Sequence, residues 1–129
     1  MKGKKGNGFL AEVHPVLPVW DVMEALQFYV EKLNFDIGFV DDEKNPRYAG
    51  VVRDGIELHL QWHDKSEWDN GMDRPLLRIL TQKIKLLYEE YKYAGVFHEY
   101  TNLEETDWGT LEFSFYDPFK NALIFYHGL

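Results

Sequence analysis

The chain contains no cysteine, which excludes disulfides, thiolate metal centres and cysteine nucleophiles. Serine is almost as scarce: Ser66 and Ser114 are the only two, and neither lies in a nucleophile-elbow sequence. No glycine-rich phosphate loop is present, because the Gly3, Gly6 and Gly8 cluster follows no strand. Acyl transfer through serine, phosphoryl transfer and dinucleotide binding are therefore set aside. Apolar runs reach only about five residues, far short of the roughly 20 that span a bilayer. Met1 to Gly8 lacks the apolar stretch of a signal peptide, so a cytoplasmic location is expected. Positive charge is also in short supply. With 14 Lys and Arg against 22 Asp and Glu, the formal net charge is -8, which argues against nucleic-acid backbones and favours steering of a cationic partner.

What is present is a dense apolar and aromatic content, 45% and 16% of residues, enough to rule out disorder. At 129 residues one domain is expected, residues 11–129, preceded by a flexible arm over residues 1–10. Val13 to Val19 alternates as a strand, and Asp21 with Glu24 three residues on reads as the start of a helix bearing Val22, Leu26, Tyr29, Val30 and Leu33. Asn34 stands where a left-handed residue ends that helix. Strands are predicted over Phe35 to Val40, Arg47 to Arg53 and Ile56 to Trp62, the last two joined by an Asp54-Gly55 turn. The order then repeats. A strand at Leu76 to Leu80 and a helix through Ile84, Leu87, Tyr88, Tyr91 and Ala94 lead to Gly95, followed by strands over Val96 to Tyr100, Thr110 to Tyr116 and Ala122 to Tyr126. The fold class is thus α+β, two tandem βαβββ modules at about 11–63 and 75–129, linked by the polar loop His63 to Pro75. Pro15 and Pro18 place the first strand at a sheet edge or a dimer contact, since proline removes a ladder donor.

Strand Ile56 to His63, IELHLQWH, puts Glu57, His59, Gln61 and His63 on one face. A polar face in so aromatic a chain marks a pocket. Glu57 and His59 could act as an acid–base pair, although residues two apart on a strand reach each other only if their side chains lean together. His98 and His127, near the ends of elements, read as surface residues.

The strings PVLPVWDVMEALQFYVEKLNF, YAGVVRDGIELHL and WGTLEFSFYDPFKNALIF resemble the bleomycin-resistance proteins of the vicinal oxygen chelate superfamily, which also holds glyoxalase I, extradiol dioxygenases and fosfomycin-resistance enzymes. The resemblance runs from Val13 to Tyr126. It implies a homodimer of curved mixed-sheet cups with exchange of the N-terminal strand. Metalloenzymes of the superfamily take one ligand from each of four strands, and by resemblance those positions are His14, Glu57, Leu76 and Ile124. The first two are competent donors and the last two are hydrocarbons, with His59 or His63 as possible substitutes. The implied function is therefore non-catalytic binding of a small molecule, a cationic glycopeptide antibiotic of the bleomycin kind, with no cofactor and no bound metal. A metal-dependent glyoxalase- or dioxygenase-like enzyme using His14 and Glu57 is the alternative. By resemblance the ligand groove falls on Phe39, Tyr48, Gln61 and Trp108, and His59, on the polar face of the same strand as Gln61, is counted with them. Asp41, Asp42, Glu104, Glu105 and Asp107 lie near those elements and could supply negative potential, with Lys44 and Arg47 opposing it. The final turn departs from the family's usual Asp-Pro-Asp-Gly-Asn, so Lys120 must accept a positive φ or alter the turn.

Overall fold

A computed structural model describes residues 1–129. Its first module runs β1 (Val16–Val19), α1 (Val22–Gln27), β2 (Asp36–Val40), β3 (Tyr48–Arg53) and β4 (Ile56–Trp62). A four-residue helix, α2 (Ser66–Asp69), interrupts the linker. The second module follows as β5 (Leu76–Leu80), α3 (Ile84–Ala94), β6 (Glu104–Glu105), β7 (Thr110–Tyr116) and β8 (Ala122–Gly128). Each module folds into one four-stranded sheet, ordered β1-β4-β3-β2 and β5-β8-β7-β6. In both, the first strand pairs parallel to the last while the other pairs are antiparallel. No helix is long and apolar enough to cross a membrane.

Local chemistry explains the punctuation. The Asp21 carboxylate accepts the Glu24 amide at 3.0 Å and caps α1. Asn34 (φ 63), Asp54 (φ 50) and Gly95 (φ 76) take left-handed conformations at the two helix exits and the β3–β4 turn. Lys120 accepts φ 67, and its turn is held by Asp117, whose Oδ1 receives the amides of Phe119 and Asn121.

Three expectations are corrected. The first strand starts at Val16, not Val13: Pro15 has no amide to donate, although its carbonyl still accepts the His59 amide, and residues 1–15 carry no helix or strand. The first helix is not uniform: Phe28–Lys32 winds as a π-helical segment that ends with the Leu33 amide on the Phe28 carbonyl. Val96 to Tyr100 is not a strand. Phe97 instead plugs the second sheet, its ring 5.0 to 5.9 Å from those of Tyr88, Phe113 and Phe115, and the edge strand forms later at Glu104–Glu105.

The inner rows of both sheets meet the helices in one core. Leu17, Ala49, Val51, Leu58 and Leu60 serve the first sheet, and Phe113, Phe115, Leu123 and Phe125 the second. Several polar ties join the modules, among them the Asn121 side-chain amide donating to the Pro18 carbonyl at 3.0 Å. The Tyr29 hydroxyl donates to the buried Asp117 at 2.8 Å, and Arg53 donates to both Glu90 oxygens at 2.6 and 3.1 Å while also reaching the Leu33 carbonyl. These ties set how the two open sheet faces stand, and those faces carry the polar and aromatic residues the core does not use.

Candidate functional site

On β4, strand alternation turns Leu58 and Leu60 inward and leaves Glu57, His59 and Gln61 on the open face. The antiparallel register sets His59 across from Gly50, and Tyr48 across from Gln61. The missing side chain at Gly50 gives room to Phe39, whose ring lies where a Cβ at Gly50 would stand. Phe39 therefore packs edge-on to His59 at 5.2 Å and near-parallel to Tyr48 at 6.1 Å.

From this ledge runs a hydrogen-bonded chain. The Tyr48 hydroxyl is 2.7 Å from His59 Nδ1, and His59 Nε2 is 2.6 Å from Glu57 Oε2. The side chains of Glu57 and His59 do lean together. The hydrogen bond from His59, with the nearby His14 imidazole, holds the Glu57 carboxyl below its ordinary range. His14 sits 3.6 Å from the same oxygen, its ring 4.7 Å from that of His59. Gln61 lies one step along the face and bonds His63, which also reaches Glu67.

Gly50→Ala is expected to push the Phe39 ring off its ledge. The loss of stability should be about 1–2 kcal/mol, and near-ultraviolet circular dichroism should show the displaced aromatic pair.

The expected groove residues do not form one cluster within the chain. Phe39, Tyr48 and His59 touch, and Gln61 adjoins them. Trp108 belongs to the second sheet, on the turn before β7, 68% exposed, its indole Nε1 donating to Glu112 at 3.1 Å. Of the acidic residues expected nearby, Asp41 is bound to the Arg47 amide, which keeps its carboxyl ionised to lower pH than usual.

For a metal, His14, Glu57 and His59 offer ligand atoms within 4.8 Å of one another. These donor types suit zinc and its neighbours. His63 is not among them. The two imidazoles and the carboxylate could hold an ion from the first module alone, though His59 Nε2 and Glu57 would have to exchange their mutual hydrogen bond for it. Leu76 and Ile124 on the second sheet offer only hydrocarbon.

Sequence reasoning missed Glu112 and Arg78. Arg78 donates to both Glu112 oxygens at 3.3 and 2.8 Å and lies over the Tyr126 ring at 4.2 Å. Together with hydrogen bonds from Thr110 and Trp108, the Arg78 guanidinium lowers the Glu112 carboxyl to about 2. An acidic residue at an outward strand position reads in sequence as a solvated one. Its one distinguishing sign was a Thr-x-Glu spacing after Trp-Gly.

A family described as "Glyoxalase superfamily protein" matches residues 4–128. A bleomycin resistance protein of Geobacillus stearothermophilus is 28% identical over 127 residues, covering 87% of this chain and 92% of that protein. The bleomycin-binding protein of Streptomyces verticillus, solved with copper(II)-bleomycin, is 27% identical with a TM-score of 0.76, covering 95% of this chain and 99% of that one. A glyoxalase-related enzyme from Clostridium phytofermentans has a TM-score of 0.77 at 16% identity, covering 97% and 100%. Binder and enzyme share the backbone equally well, so the fold does not choose between them and the side chains must. The match over nearly the whole length, on two modules of the same strand order, places this chain in the glyoxalase superfamily.

Proposed function

We infer that the chain binds a cationic, aromatic-bearing antibiotic of the bleomycin type in its cup and does no chemistry on it. The observation that carries this reading is the Phe39–Tyr48 ledge joined through His59 to an ionised Glu57. Flat apolar surface and negative charge within reach of one ligand are what a planar cation requires. The similarity to the Streptomyces verticillus protein supports it, as do the hydrocarbons at Leu76 and Ile124. In this reading Phe39, Tyr48, His59, Gln61 and Trp108 contact the ligand. The test is protection of plasmid DNA from iron-bleomycin. Stoichiometric protection, with the antibiotic recovered at unchanged mass, is expected, whereas conversion of the antibiotic at substoichiometric protein would overturn the non-catalytic reading.

The functional unit is a homodimer with exchanged N-terminal arms, and the repeat supports this. Matching β1 to β5 and β4 to β8 by register equates Trp20 with Leu80, and Phe119 with Ile56. In the linker, Trp68 packs on Trp20 at 5.0 Å and donates to the Phe119 carbonyl. The equivalent corner, a groove of about 740 Å³ lined by Ile56, Leu80, Phe35 and Leu86, is open. By the same register the residue equivalent to Trp68 falls at Gly8, beside Phe9 and Leu10, which are 90% and 99% exposed. An arm from a second copy fills that corner. Light scattering should give a dimer for the full chain and a shift towards monomer when Phe9 and Leu10 are both replaced by Ser.

A metalloenzyme is the second reading, favoured by the convergence of His14, Glu57 and His59. It requires stoichiometric zinc, nickel, iron or manganese in the purified protein, lost in both His14→Ala and Glu57→Ala.

A further inference from the structure

Trp108 has the exposure of a ligand-stacking residue but little to hold it. No aromatic ring of the chain packs on it, and Gly109 beside it takes φ 88. Its indole makes one hydrogen bond, to Glu112 Oε2. That oxygen also receives Thr110 Oγ1 at 2.6 Å and an Arg78 nitrogen at 2.8 Å, and the second Arg78 nitrogen reaches Oε1. Thr110 in turn closes the Trp108 loop through Thr106. Arg78 is itself flattened on Tyr126. One mostly buried carboxylate thus gathers an indole, a guanidinium and a loop hydroxyl on the open face of the second sheet.

We propose that Glu112 is the positioning residue of the ligand groove: it aims the Trp108 indole, alongside the Arg78 guanidinium, as a preorganised platform for the planar conjugated part of the ligand. With Arg78 reaching solvent, the Arg–Glu pair contributes only modestly to stability by itself. Fixing two flat side chains before the ligand arrives lowers the ordering cost of stacking. The inference rests on the reading of the cup as a ligand groove, and its first readout needs no ligand.

Full-length protein is labelled with 5-fluorotryptophan, giving one fluorine resonance for each of its four tryptophans, with that of Trp108 assigned by its loss in Trp108→Phe. In Glu112→Ala the Trp108 resonance should sharpen and move towards that of the free amino acid, the other three holding still, and bleomycin affinity should fall by roughly tenfold. Glu112→Gln keeps an acceptor for the indole and should be intermediate in both; it also serves should the alanine variant fold poorly. Arg78→Met should leave the Trp108 resonance in place. An unmoved Trp108 resonance in Glu112→Ala overturns the inference, and so does a released indole with unchanged bleomycin affinity. If the parent chain does not bind bleomycin at all, the antibiotic reading falls, while the fluorine spectrum still decides whether Glu112 holds Trp108.

Discussion

Phe125→Ala is expected to destabilise the protein by about 3–5 kcal/mol, enough to leave a marginally stable domain partly unfolded at room temperature. Phe125 is buried at the centre of the second sheet, its ring 5.1 Å from Phe113, 5.6 Å from Phe115 and 5.4 Å from Tyr91. Truncation removes a ring that three others contact, and β7, which carries two of them, is hydrogen-bonded along its length to β8, so the strand cannot move in to close the void. Urea denaturation should show a lower midpoint with an unchanged slope. A loss below about 1 kcal/mol would mean that the stack relaxes and that the second sheet is less rigidly packed than its geometry indicates.

The largest effect on binding should come from Trp108→Ala, which is expected to weaken bleomycin affinity about thirtyfold, about 2 kcal/mol, while leaving the melting temperature near that of the parent. Trp108 is exposed and contributes nothing to the core, so an effect confined to affinity is the signature of a stacking contact. Truncating Phe39 should cost less, because Tyr48 remains. Equal affinities for Trp108→Ala and the parent chain would remove the second sheet from the groove.

Much of this was legible in the sequence because it depends on local rules. Asp21 as a cap, Asn34 and Gly95 at helix exits, Asp54-Gly55 at a hairpin, and the alternation that turns Glu57, His59 and Gln61 to one face all follow from backbone chemistry over a few residues. The repeat of those signals set the two-module fold, and Pro15 and Pro18 marked β1 as an edge strand. The segment Val96 to Tyr100 misled because its apolar residues serve as a plug, and a plug and a strand share the same hydrophobicity. The π-helical turn at Phe28–Lys32 has no side-chain signature; it carries Tyr29, which bonds Asp117 some 88 residues away in sequence. The candidate site was legible along a strand and its hairpin but not across strands distant in the chain. Tyr48, His59 and Glu57 are bound to one another by a register that a hairpin fixes, whereas the grouping of Arg78, Glu112 and Trp108 depends on β5 and β7 both lying beside β8, which spacing along the chain does not reveal.

Isothermal titration calorimetry of the full chain, freed of metal by chelation, with metal-free and then copper-loaded bleomycin addresses the function most directly. Saturable heat at one antibiotic per chain, in both forms and without added metal, is the expected result. Absence of heat in both titrations, or binding that appears only after a metal is restored to His14, Glu57 and His59, would show that this cup is built for something other than holding the antibiotic.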